Sequence, residues 1–132
     1  MKLTNEQVAA VVTEASKKMS DPNYSAVMVG GFVEGQTPVA QFISAHTDDL
    51  GGAESIVNVI FHCALVATAF ERNRGRVREL TYDDLDNASR GEPLYHLKER
   101  QPALHDFILA NVEHPESQKL IALIALAIDG AE

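Results

Sequence analysis

A long apolar stretch in the middle of the chain constrains the fold more than any other feature. Residues 52–72 read GAESIVNVIFHCALVATAFER. Between Ile56 and Phe70 the polar residues are Asn58, His62 and Thr68. The stretch predicts one long helix, apolar on most of its circumference, which belongs in a protein interior or across a membrane. Because the run is interrupted and shorter than the roughly 20 residues that a bilayer requires, we expect a buried central helix.

Composition limits the class of protein. A chain of 132 residues has the length of one ordinary domain, so residues 1–132 are predicted to form a single globular unit. The apolar fraction of 45% and the charged fraction of 23% are ordinary for such a domain. The net charge of −8 disfavours binding to nucleic acid or to an anionic membrane surface.

Cysteine usage and the N-terminus indicate a compartment. Cys63 is the single cysteine, so no intrachain disulfide can form, which fits a reducing environment. It lies in the apolar stretch and is interpreted as a small buried side chain. The first residues, MKLTNEQ, lack the apolar core of a signal peptide. We therefore expect a cytoplasmic protein.

Several helix ends can be read directly. Thr4 and Gln7 have the spacing of a capping box, and apolar residues then recur at helical spacing, so residues 5–19 are predicted to be an amphipathic helix. Gly75 is expected to end the central helix. Three shorter helices are expected to start near Thr81, Pro102 and Pro115, with Glu92-Pro93 breaking the chain between them.

The segment after the first helix favours strands. Residues 26–33, AVMVGGFV, are rich in β-branched side chains, and residues 34–38, EGQTP, are typical of a turn. We predict a β-hairpin with residues 39–45 as the second strand, although that arm could also be a short helix. Residues 76–80 are a candidate third strand. The expected fold class is therefore α+β, mainly helical.

The last helix indicates self-association. Residues 117–128 include KLIALIALAI and have almost no polar face, yet they close the predicted fold. Left in water, such a helix would expose more apolar surface than monomers usually do. We predict a homo-oligomer, with an interface formed by Leu120, Leu123, Ile124 and Leu126.

Two of the histidines, His62 and His105, are candidate metal ligands. Glu54 and His62 share one face of the central helix but lie roughly 12 Å apart along its axis, too far to hold one ion. The neighbouring pair His105-Asp106 could supply ligands to His62 from another helix. The alternative is that His62 is a buried neutral histidine bonded to a neighbour.

The His105-Asp106 pair resembles the dipeptide of the HD-type metal phosphohydrolases, which are also helical. The resemblance covers only a few residues. In that family an upstream histidine and a downstream aspartate complete the site, which implies His62 or His96 and Asp129 in this chain. It also implies a divalent metal as cofactor.

One basic run stands out on an acidic chain. Within ERNRGRVRE the arginines are Arg72, Arg74, Arg76 and Arg78. In an extended segment their side chains would share one face and could bind phosphate or an acidic partner. The alternative is ion pairing with nearby acidic residues.

The reactive motifs of common enzyme classes are missing from the sequence. It contains no Walker-type lysine motif, no GxGxxG and no GxSxG. A non-catalytic, self-associating binding or regulatory protein without a cofactor is therefore the favoured function, with a second copy or another protein as partner. The alternative is a metal-dependent phosphohydrolase using His62, His105 and Asp106.

Overall fold

A computed structural model describes residues 2–131, and within them it contains nine helices and no strand. The helices are α1 (Asn5–Lys18), α2 (Tyr24–Gly35), α3 (Thr37–Ser44), α4 (Thr47–Leu50), α5 (Ala53–Arg74), α6 (Tyr82–Ala88), α7 (Pro93–Arg100), α8 (Pro102–Asn111) and α9 (Pro115–Gly130). The fold is all-helical, so the predicted α+β class is wrong.

Helix α5 is the predicted central helix. It packs against α1, α2, α3, α4 and α9, and most of its residues between Val59 and Phe70 are buried. Gly75 caps its end with a φ of 98°, a value that favours glycine. By length and composition α5 could also cross a membrane, but half of its most apolar 18-residue window is buried inside the fold. Its packing is that of a core helix.

Helix α9 lies beside α5 and is also covered by α4, α6, α7 and α8. Leu120, Leu123 and Ile124 are buried within the chain itself, and Leu126 is half-buried. The apolar surface that suggested an interface is therefore used in the core of one chain. An interface formed by these residues loses its physical basis.

The predicted hairpin is two helices. Tyr24, Met28 and Phe32 recur every fourth residue and turn one side of α2 towards the core, where Phe32 is buried. Pro38, expected in a turn, lies in the first turn of α3, where proline is well tolerated. Val39 and Ile43 of α3 are fully buried. Burial of these side chains outweighs the β preference of the segment, a preference that depends strongly on context.

Residues 76–80, the predicted third strand, form hydrogen bonds with a side chain instead of with a neighbouring strand. The Gln36 amide, between α2 and α3, donates from Nε2 to the Arg78 carbonyl oxygen at 2.8 Å. Its Oε1 accepts from the Leu80 backbone N–H, also at 2.8 Å. Gln36 is 6% exposed, and its bond to Leu80 is buried while its bond to Arg78 is partly buried. One buried amide thus satisfies the backbone groups that a neighbouring strand would have satisfied.

The predicted helix starts at Thr4 and Thr81 are confirmed. Both residues form complete capping boxes, with Gln7 and Asp84 respectively. Pro93, predicted to break the chain, instead lies in the first turn of α7, a helix that the sequence interpretation missed.

The Asp84 carboxylate makes the start of α6 sensitive to acid. The Arg78 guanidinium donates to both carboxylate oxygens at 2.8 and 3.0 Å, and the Thr81 backbone N–H donates to Oδ2. These contacts lower the pKa of Asp84 from 3.8 to about 2.

A group whose pKa is depressed by folding stabilises the fold above its unfolded pKa and stops doing so as pH falls through its folded pKa. We therefore expect the stability difference between the native protein and D84N to be constant above about pH 5 and to shrink between pH 4 and pH 2. Urea unfolding at a series of pH values measures it. A difference that does not change down to pH 2 would contradict the role of this carboxylate.

Candidate interaction surface

The residues of the predicted metal site are not arranged to share an ion. His62 Nδ1 lies 2.8 Å from the Asn58 carbonyl oxygen of its own helix, and its ring packs on Phe61 and Phe107. His105 Nδ1 lies 3.1 Å from the carboxylate of Asp106, which points into solvent. Within residues 2–131 no three His, Cys, Asp or Glu side chains converge on a point that could hold a metal.

Asp129, the implied downstream ligand, belongs to a buried polar cluster. Its carboxylate is 4% exposed and accepts from Arg74 Nη2 at 2.8 Å, Arg100 Nε at 2.9 Å and Gln101 Nε2 at 2.8 Å. Gln101 Oε1 in turn accepts from the Leu3 backbone N–H at 2.8 Å. The cluster joins the ends of α5, α7 and α9 to the N-terminal segment, which is a structural role.

The four arginines of the basic run do not share one face. Arg72 and Arg74 lie in the last turn of α5, where Arg72 pairs with Glu14 and Arg74 with Asp129. Arg78 is bound to Asp84 and to the Ala131 carbonyl oxygen. Arg76 is exposed and has no hydrogen bond or ion pair within the described chain. Three of the four are therefore ion-paired, but Arg78 alone pairs with an acidic residue nearby in the sequence, as the alternative predicted, since Glu14 and Asp129 lie more than fifty positions away.

Cys63 lies in the centre of the fold. Its side chain is fully buried, and burial raises the pKa of the thiol well above its usual value. The reactive thiolate is therefore disfavoured, as expected for a residue of the core.

An exposed apolar surface lies on α2. Within its twelve residues Phe32 alone is buried and Glu34 is the single charged residue. The side of α2 that faces away from α5 carries Ala26, Val27, Gly30 and Val33, which we call the α2 outer face, and the exposed Glu34 lies between Gly30 and Val27 on the same side. Val27 is 69% exposed, more than any other large apolar side chain in the described residues.

A groove between α2 and α5 extends this surface. Its cavity of about 240 Å³ is lined on one side by Val27, Gly31 and Gly35 and on the other by Thr68 and Glu71 of α5, with Ala64 and Ala67 at its base. The missing side chains of Gly31 and Gly35 leave this space open. Val27 borders both the groove and the α2 outer face, so the two form one continuous surface.

The glycines of α2 are not required by packing within the chain. A Cβ atom built at Gly30, Gly31 or Gly35 would meet no neighbouring atom within 4 Å, and none of the three has a positive φ. Glycine inside a helix costs about 1 kcal/mol relative to alanine. Gly30 and Gly31, in the interior of a short helix, therefore reduce its stability without a steric reason inside one chain.

The signal for this surface was present in the sequence but was assigned to a strand. Residues 24–35 contain no lysine or arginine and have apolar side chains on every side of the helix. Only the assignment of a helix shows which of those side chains remain outside the core. The sequence interpretation placed the excess apolar surface on α9, which the structure buries.

Comparison with protein-family models, with curated proteins and with solved structures finds no match.

Proposed function

We propose that this chain is a non-catalytic cytoplasmic binding protein that self-associates, and that α2, rather than α9, forms the contact between two copies. The carrying observation is that α2 combines an exposed apolar face with glycines that its own chain does not need. In a two-fold symmetric dimer the same face of both copies meets itself. Residues 26, 30 and 33 follow the spacing of one helix face, so two α2 helices could pack along it.

Glycine has a clear role in such a contact. Without side chains at Gly30 and Gly31, the backbones of two helices can approach more closely than alanine would allow. The contact then covers Val27 and Val33, which are 69% and 36% exposed, so each contributes a part of the roughly 1.5–3 kcal/mol gained when a fully exposed side chain is buried. The stability that one chain loses through glycine would be regained in the dimer.

The net charge of the chain predicts how the affinity of self-association changes with salt concentration. Two copies that each carry a net charge of −8 repel one another at long range, and salt screens that repulsion with a Debye length of about 8 Å at 0.15 M. Self-association through an apolar face should therefore strengthen as salt is added. Binding of a basic partner to the same surface would instead become weaker as salt is added, because salt screens the attraction between opposite charges.

The test is sedimentation over a range of protein concentrations for the native protein and for V27D. The aspartate would be buried without a partner in the dimer, so we expect the dissociation constant to rise by about 100-fold or more. L109D is the matched control, because Leu109 is also exposed, at 48%, but lies on α8. Thermal unfolding checks that both variants remain folded.

The variant G30A/G31A separates association from folding. Alanine should stabilise the single chain by about 1 kcal/mol at each position and, at the same time, weaken association. Two results would reject the proposal: a native protein that stays monomeric at 100 μM or above (about the weakest affinity of interest), or a V27D variant that associates as the native protein does.

A further inference from the structure

A second cavity, distant in sequence from α2, collects basic side chains. It has a volume of about 320 Å³ and lies between α6, α7 and α9. Three potentially cationic residues line it, namely Arg90, His96 and Arg100, together with the amide of Asn87. Ala88, Leu126 and Ala127 supply an apolar wall. The volume is at the lower end of the range for small-molecule sites.

The acidic side chain at this cavity already forms an ion pair with an arginine. Asp84 also lines it, but both of its carboxylate oxygens accept hydrogen bonds from Arg78. Arg100 donates to Asp129 through Nε, and no bond to another described residue occupies its two terminal nitrogens. Arg90 has no hydrogen bond or ion pair with any residue of the described range. The cavity therefore offers donors without a matching acceptor.

The histidine is held at the cavity by the backbone. A Cβ atom built at Gly91 would lie 2.5 Å from His96 Nε2, so the ring packs directly on that glycine. Gly91 also has a φ of 79°, which a residue with a side chain rarely adopts. This turn, between α6 and α7, carries Arg90 on one side and brings it to the same cavity as His96.

We infer that this cavity binds a small organic phosphate. Arginine forks match the oxygens of phosphate, and charge-assisted hydrogen bonds are about twice as strong as neutral ones. Donors from Arg90, His96 and Arg100 outnumber the two oxygens of a carboxylate and fit the three free oxygens of a phosphate monoester. The wall formed by Leu126 and Ala127 would cover an apolar substituent on that ester.

The experiment titrates the full chain with inorganic phosphate and with phenyl phosphate at constant ionic strength, followed by amide shifts in NMR spectra. We expect saturable binding, with phenyl phosphate tighter than inorganic phosphate and acetate weaker than both. The variant R90Q should weaken phosphate binding by about tenfold or more, because it removes a charge-assisted fork.

R76Q is the matched control, since Arg76 is also exposed and unpaired within the described chain but does not line the cavity. We expect it to change phosphate affinity by less than about twofold, because it acts only through screened long-range charge. Neither residue has a partner to lose, so both variants should remain folded.

Three results would overturn the inference: no saturation by either phosphate, acetate binding as tightly as phosphate, or equal effects of R90Q and R76Q. In the first case the arginines would serve only to neutralise the negative end of α9. This test is independent of self-association, since it uses a different surface and different variants.

Discussion

Replacing Asp129 by alanine is expected to lower the free energy of unfolding by about 3–5 kcal/mol, the usual effect of removing one partner of a buried ion pair. Arg74, whose side chain is 9% exposed, would lose the carboxylate to which it donates at 2.8 Å. Gln101, 1% exposed, would lose an acceptor of its amide. Arg100 contributes less to this loss of stability, because its side chain is 61% exposed and can form hydrogen bonds with water instead.

Urea unfolding measures this change, with D106A as the matched control. Asp106 is also an aspartate on a helix, but its side chain is 72% exposed, so its removal should change stability by less than about 0.5 kcal/mol. D129N keeps the shape but removes the charge and replaces one acceptor oxygen by an NH2 donor, and we expect it to be intermediate. A loss below about 1 kcal/mol in D129A would mean that this cluster does not hold the helix ends together.

The second large effect is expected for Gln36. Replacing it by alanine should lower the free energy of unfolding by about 2–4 kcal/mol, because one buried and one partly buried backbone group would lose their hydrogen-bond partner at once. These are the Arg78 carbonyl oxygen and the Leu80 N–H. Q36L is informative as well, since it fills the space but satisfies neither group.

Gln41 provides the control for Gln36. It lies on α3, a few residues away, and is exposed; its Oε1 accepts a hydrogen bond from the exposed Tyr82 hydroxyl. Q41A should cost less than about 0.5 kcal/mol. If Q36A and Q41A have equal effects in urea unfolding, the buried amide does not fix residues 76–80 in place.

The helices that the sequence predicted correctly are those with local signals. The capping boxes at Thr4 and Thr81 involve residues three positions apart. The apolar run of α5 is longer than a typical β-strand. Gly75 marks the end of α5 by a backbone conformation that favours glycine. Each of these signals acts within a few residues of the element that it defines, so no knowledge of the tertiary structure is needed.

Helices α2 and α3 depend on contacts that the sequence does not show directly. The β-branched residues of α2 favour a strand locally, while Tyr24, Met28 and Phe32 fit a helix only if a helix such as α5 is present to receive them. Gln36 has the same difficulty, since its two partners lie more than forty residues further along the chain. The hairpin was wrong because local preference competes with tertiary burial, and burial contributes more.

The candidate sites also depend on contacts between residues that are distant in the sequence. A surplus of apolar helix surface was predicted on α9, but the apolar run of that helix lies inside the fold. The pairing of Arg74 with Asp129 joins residues 55 positions apart. The cavity with Arg90 and His96 depends on the turn at Gly91. Neither arrangement has a signature in spacing or composition.

The way in which α2 is held has a consequence for the behaviour of the whole chain. A helix with one buried residue and three glycines can detach at a lower free-energy cost than global unfolding requires. The released segment, AVMVGGFV, has the β preference and the lack of charge that promote pairing between strands of different molecules. Docking of α2 on α5 thus protects the chain from aggregation, and conditions that loosen this helix alone would expose a segment from which a fibril can start.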